Sequence, residues 1–199
     1  MVVGVGLVAL SAGCSSGVSG QPSASGAGVG SSPSAGSAKE RLSPPLNQQP
    51  LDLKPFNARP CELLKPEQVA SLTKSNPPKP ADGNLGPECA WPAADPVRDT
   101  RIFVALNVKT GEGLEGAYLR RSTFPFFRDF RVEGYPGVHA SEDREGPMNG
   151  ICKSMVGVSD STALYIIVHA NKGNPDFVTS CRITERVAEF VIQNLKAAK

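Results

Sequence analysis

Between residues 101 and 109 the apolar positions recur every second residue. Ile102, Val104, Leu106 and Val108 point one way, and Arg101, Phe103, Ala105, Asn107 and Lys109 the other. That is the period of a strand with one face in a core. Residues 151–158 and 163–170 read as two further strands. Ser159-Asp160-Ser161-Thr162 between them carries the turn-forming residues of a hairpin. The second of these strands, Ala-Leu-Tyr-Ile-Ile-Val-His-Ala, is apolar on both sides and belongs in the middle of a sheet. Two shorter pieces are extended. Cys89-Ala90-Trp91 puts Cys89 and Trp91 on one side, and Val138-His139-Ala140 follows Pro136, a residue suited to a strand start.

The helical period appears three times. Pro66-Glu67-Gln68-Val69-Ala70-Ser71-Leu72 starts with a first-turn proline and buries Leu63, Leu64, Val69 and Leu72. Residues 113–121 place Leu114, Ala117 and Tyr118 on one stripe. Asn174-Pro175-Asp176 is a helix-start signal. After it, Phe177, Cys181, Thr184, Ala188, Val191 and Leu195 recur at three- and four-residue spacing, which predicts a long closing helix to about Lys196. Residues 76–87, with four prolines, read as a loop. The order is helix, two strands, helix, three strands, long helix. It predicts an α+β domain, an antiparallel sheet of about five strands with helices packed on one face.

The pattern changes before residue 50. Residues 15–38 consist of Ser, Gly, Ala, Pro, Val and Gln without a charge, a composition that cannot bury a core. This reads as a flexible tether with a coil dimension on the order of 30 Å. Ahead of it lies an apolar run ending in Leu10-Ser11-Ala12-Gly13-Cys14, which resembles a bacterial lipobox. The resemblance implies a signal peptide over residues 1–13, cleavage before Cys14 and a diacylglycerol on that cysteine. Residues 14–49 are then the lipidated N-terminus and tether, and residues 50–199 a single domain. The protein is expected on the outer face of the cell membrane, held by lipid on Cys14, with secretion as the alternative.

Cysteine arithmetic agrees with this. The five cysteines are Cys14, Cys61, Cys89, Cys152 and Cys181. With Cys14 lipidated, four remain for two disulfides in an oxidising compartment. Three pairings are open to the sequence. Cys61–Cys89 and Cys152–Cys181 are favoured because each joins neighbouring elements. Each loop would add roughly 3–4 kcal/mol in the chain-entropy model.

Charge and chemistry narrow the function by subtraction. Lys and Arg number 21 against 19 Asp and Glu, so no electrostatic case exists for nucleic acid. There is no Cys-x-x-Cys and there are two histidines, His139 and His169, so no metal-ligand spacing and no cofactor is indicated. His139 lies near Ser141, Glu142 and Asp143 in sequence, without a Gly-x-Ser-x-Gly or other triad motif. His169 is expected packed or hydrogen-bonded on the central strand. Phe124-Pro125-Phe126-Phe127-Arg128-Asp129-Phe130 is the most aromatic stretch, and some of its rings are expected to cover an open end of the sheet. With the loop from Tyr135 to Gly150 it is expected to rim the concave end of the sheet, where a binding site would be sought, although the sequence assigns no binding residue.

Several segments occur in a set order: the lipobox and tether, Pro50-Leu51-Asp52-Leu53, Pro60-Cys61-Glu62-Leu63-Leu64-Lys65-Pro66-Glu67-Gln68, Cys89-Ala90-Trp91, Gly134-Tyr135-Pro136-Gly137-Val138, Cys152, and Cys181 with its closing helix. Together they resemble the DUF3558 family of actinobacterial lipoproteins. The resemblance implies the fold, the disulfides and the location, and assigns no activity. The layout also looks like the extracellular sensor domains of some mycobacterial receptor kinases. The expected function is a lipid-anchored cell-envelope binding or interaction module, with an envelope protein or a small ligand as partner. The alternative is an envelope hydrolase acting on cell-wall or lipid substrates.

Overall fold

The computed structural model describes residues 40–198. Cys14, the expected leader and most of the tether lie outside the described residues. Among the described residues no helix is long and apolar enough to cross a membrane.

Seven strands form one antiparallel sheet: β1 (Lys79–Asp82), β2 (Pro87–Trp91), β3 (Arg101–Asn107), β4 (Phe126–Val132), β5 (Tyr135–Ser141), β6 (Ile151–Gly157) and β7 (Ala163–His169). Their order is β1-β2-β3-β7-β6-β5-β4. The helices are α1 (Pro66–Leu72), α2 (Glu115–Leu119) and α3 (Ser180–Ala197). The α+β class and the closing helix follow the sequence pattern, but the sheet has seven strands rather than about five. Both additions are edges. β1 is exposed at every position and contains Pro80, so neither alternation nor composition marks it. β4 is formed by the aromatic stretch. The two-residue turn Glu133-Gly134, with φ of 52° and 84°, reverses it into β5, as a hairpin turn with two positive φ angles does.

The central position of β7 follows from its apolar faces. It pairs with β3 and β6 over seven residues each. On one side, Ile102, Val104, Leu106, Leu164, Ile166, Val168 and Val156 meet Val187, Ala188, Val191, Ile192 and Leu195 of α3 in the main core. Leu63, Leu64, Val69, Cys89 and Trp91 extend that core under α1. Asn194 joins the two helices, donating to the Leu63 carbonyl (2.9 Å) and to Gln68 (2.7 Å).

Two expectations change here. α2 does not join the other helices. Leu114, Ala117 and Tyr118 pack with Val138, Phe127 and Met155, residues whose neighbours His139 and Ser154 face α3; alternation therefore puts α2 on the opposite face. The second concerns the closing helix, which starts at Ser180 and not at Asn174. The Asn174 side chain is buried and tied elsewhere. It accepts from the Asp176 N–H (2.7 Å) and donates to the Arg98 carbonyl (2.9 Å), which makes a local turn in place of a helix cap.

The first described residues strap one end of the sheet. The Leu42 and Ser43 amides donate to the Glu115 carboxylate (2.9 and 2.8 Å), and the Leu51 amide donates to the Val158 carbonyl (2.9 Å). The chain therefore enters the domain beside the β6–β7 turn.

Candidate functional site

The sequence-derived candidates do not meet. His139 is 2% exposed and faces α3. Its Nδ1 lies 2.7 Å from Ser154 Oγ and its Nε2 3.0 Å from Glu185 Oε1. Phe130 stacks on the ring with centroids 4.2 Å apart. Ser154 Oγ is 2.7 Å from Thr184 Oγ1, which lies 2.8 Å from the Cys181 carbonyl oxygen. Glu142 turns to Lys153 (2.7 Å), on the face of β6 opposite Ser154. Asp143 organises its own loop, accepting from the Glu145 amide (3.0 Å) and from Asn149. Ser141 accepts from the Asp143 amide (3.1 Å). His169 lies on the far face, beside Arg101 and Ile151.

Ser154, His139 and Glu185 form a hydroxyl–imidazole–carboxylate series. As a nucleophilic centre it would need an open hydroxyl and room for a substrate carbonyl. Ser154 is 1% exposed and lies between His139 and Thr184 beneath α3. The arrangement satisfies buried polar groups and fixes the seat of the helix. The same pocket brings His139, Cys152 and Cys181 together, but the two sulfurs are bonded to each other at 2.01 Å and so are not thiolate metal ligands. The other bridge joins Cys61 to Cys89 at 2.00 Å.

Burial pushes the His139 imidazole below its ordinary value of 6.5, more than the neighbouring Glu185 carboxylate raises it. The neutral ring is therefore the folded form. Below pH 6.5 the unfolded chain binds the proton first, so His139 contributes stability above that pH and loses it as the pH falls toward the depressed folded value. Denaturation midpoints measured from pH 7.5 down to 5 should fall more steeply for the wild type than for His139→Gln. Parallel curves would contradict this assignment.

The aromatic stretch is divided between the two faces. Phe130 covers His139, while Phe127 packs edge-on against Tyr118 (5.2 Å, 84°) and approaches Phe124 (6.3 Å). Its rings cover the β4 edge, and Tyr135–Ser141 is a buried strand where the 135–150 region was expected to be mostly loop. Three hollows of the domain are lined by other residues.

A groove of about 1130 Å³ runs beside α1. Its lining includes Leu64, Val69, Ala70 and the Cys61 end of the disulfide, with Trp91 at its base and Pro77 and Pro78 opposite. Local chemistry builds each wall. Pro66 fixes the first turn of α1, and the Lys65 amide is capped by Gln68 Oε1 (2.8 Å). The facing segment is held as a short antiparallel bridge. Ser75 pairs with Ala93, the Asn76 amide donates to the Pro92 carbonyl (2.8 Å), and the Ala94 amide donates to the Lys74 carbonyl (3.0 Å). The charged lining groups, Glu62, Lys65 and Lys74, are exposed. Sequence reading found Leu64, Val69 and Trp91 as core and Pro77 and Pro78 as loop. It missed the groove because the space depends on the Ser75–Ala93 bridge, which no local pattern announces.

The model of the family described as Protein of unknown function (DUF3558) matches residues 9–194. The chain belongs to this family. The match spans Cys14, both disulfides and all three layers of this DUF3558 domain. No curated protein and no solved structure matches the chain.

Proposed function

We propose that this DUF3558 chain is a lipid-anchored binding module on the outer face of an actinobacterial cell membrane, and that the groove beside α1 is its ligand site. The groove itself carries the reading. Its size suits a bound molecule, and its floor of Leu64, Val69 and Trp91 with proline walls is apolar. Two of the polar wall groups are engaged within the protein. Thr73 Oγ1 accepts from the Thr100 amide (2.8 Å), and Asn76 donates to the Ala93 carbonyl (3.0 Å). A peptide would bring a donor and an acceptor per residue into a floor that offers neither. The ligand that fits is an apolar chain, such as the tail of an envelope lipid.

Anchoring is supported by the lipobox-like Cys14, the odd cysteine count and the Ser/Gly/Pro tether. A tether raises the concentration of the domain near membrane-adjacent ligands. The strap enters beside the β6–β7 turn, whereas Trp91 pairs with Ile102 at the other end of the strands. The groove mouth is thus separated from the tethered end by the length of the sheet.

Trp91, the one tryptophan of the chain, reports on the groove. Titration with a monoacylglycerol below its micelle concentration should give a saturable change in its emission. Ala70→Glu changes an exposed α1 position, so the fold should tolerate it. It should weaken binding by about tenfold or more, because the carboxylate must lose water where the chain would lie. Identical titrations for both proteins, or no response from the folded wild type, would overturn the site.

A further inference from the structure

The face of the sheet opposite α3 is only partly covered. α2 closes it over β4, β5 and the middle of β6. Toward the Arg101 end of β3 it is open, with Arg101 exposed and Phe103 half-buried. Register sets Ile151, His169 and Arg101 in one row across β6, β7 and β3, with Ile167 and Phe103 paired in the row below. Directly opposed residues of antiparallel strands lie about 4.5–5.5 Å apart at Cα, so these side chains form one continuous surface. Phe103, Ile151 and Ile167 are half-buried and floor a depression of about 270 Å³, with Arg101 and His169 at its end. Those two residues also line a second hollow of about 490 Å³ that continues toward Lys79 and Asp99.

The charge of this surface is unbalanced. Arg101, Lys79 and His169 are in no ion pair among the described residues. Lys153, the next same-face residue of β6, is neutralised by Glu142 at 2.7 Å. Asp99 is the acid of the second hollow, and its carboxylate accepts from the Asp95 amide (2.9 Å). An apolar floor therefore ends at an unpaired guanidinium and an imidazole, with one carboxylate nearby.

The geometry points to a binding site for a monoanionic amphiphile, with a carboxylate held by Arg101 and His169 and an apolar chain lying over Phe103, Ile151 and Ile167. The guanidinium fork matches the two oxygens of a carboxylate. Asp99 repels a dianion more than a monoanion, so a phosphate monoester fits less well. An anion without an apolar body leaves the floor uncovered and loses the larger share of the binding energy. This site is separate from the groove beside α1 and differs from it in requiring charge.

Calorimetric titration with decanoate, below its micelle concentration, tests the assignment in the full chain carrying Ala70→Glu, which removes chain binding in the groove beside α1. Decanol should bind about tenfold more weakly, since it lacks the charge-assisted contacts, and acetate about a hundredfold more weakly, since it lacks the chain. Arg101→Gln, at an exposed position, should weaken decanoate about tenfold while leaving decanol and the melting temperature unchanged. Phe103→Ser should weaken both. The carboxylate-dependent component of decanoate binding should be the same in Ala70→Glu and in the wild type. Four results would each overturn the proposal: equal affinity for decanol and decanoate, tighter binding of decyl phosphate than of decanoate, an unaltered Arg101→Gln, or loss of decanoate binding in Ala70→Glu.

Discussion

Replacing Cys152 and Cys181 together by alanine is expected to lower the stability of the domain by about 3–4 kcal/mol. The bridge closes 29 residues of sequence, and in the chain-entropy account the freed loop enlarges the unfolded ensemble. The native side also loses. The disulfide pins the first turn of α3 to β6, and that turn has no side-chain cap. Ser180 Oγ at its start is buried with no hydrogen-bond partner among the described residues, so the helix N-terminus depends on the covalent link and on the Thr184 contacts next to it. Denaturant midpoints should fall, and the dependence on denaturant should rise, because the freed chain exposes more surface when it unfolds. Hydrogen exchange should rise first at residues 180–185. A loss below about 1 kcal/mol would mean that the packing of α3 holds the seat unaided.

The second large effect separates neighbouring residues of one type. Ile166 and Ile167 adjoin on the central strand. Ile166 is 0% exposed beneath α3, whereas Ile167 lies on the open face. Ile166→Ala should cost about 3–4 kcal/mol, from lost burial and the cavity left in a packed core. Ile167→Ala should cost under about 1 kcal/mol, since water or neighbouring side chains take the vacated space. Thermal or chemical unfolding of the two variants decides the matter. Equal losses would show that the face is covered by something else and would remove the basis for a site there.

What the sequence made legible is what local periodicity encodes. Arg101–Asn107 and Ala163–His169 could be placed because their side chains alternate or are apolar throughout, and burial rewards both patterns. The pairing of Cys61 with Cys89 and of Cys152 with Cys181 followed from adjacency of elements. The edges could not be read this way. Lys79–Asp82 gains its strand conformation from pairing with β2, not from burial. Phe126–Val132 carries aromatic rings on both sides because one side meets α2 and the other shields His139. The stripe of α2 was plain, but a stripe does not say which face of a sheet it will cover. Asn174 has the composition of a helix cap, and a tertiary hydrogen bond to Arg98 redirects it. His139 looked like chemistry because of its sequence neighbours. Its spatial neighbours, Ser154 and Glu185, are 15 and 46 residues away.

The groove beside α1 is the centre of the functional account, and residue-resolved mapping tests it most directly. Amide chemical shifts of the chain should be followed during titration with a monoacylglycerol, for the wild type and for Ala70→Glu. The account predicts saturable shifts confined to α1, residues 73–78 and Trp91, and their loss in the variant, with the β4–β5 hairpin unmoved. Shifts centred on residues 124–150, or none at any residue of the folded chain, would contradict it.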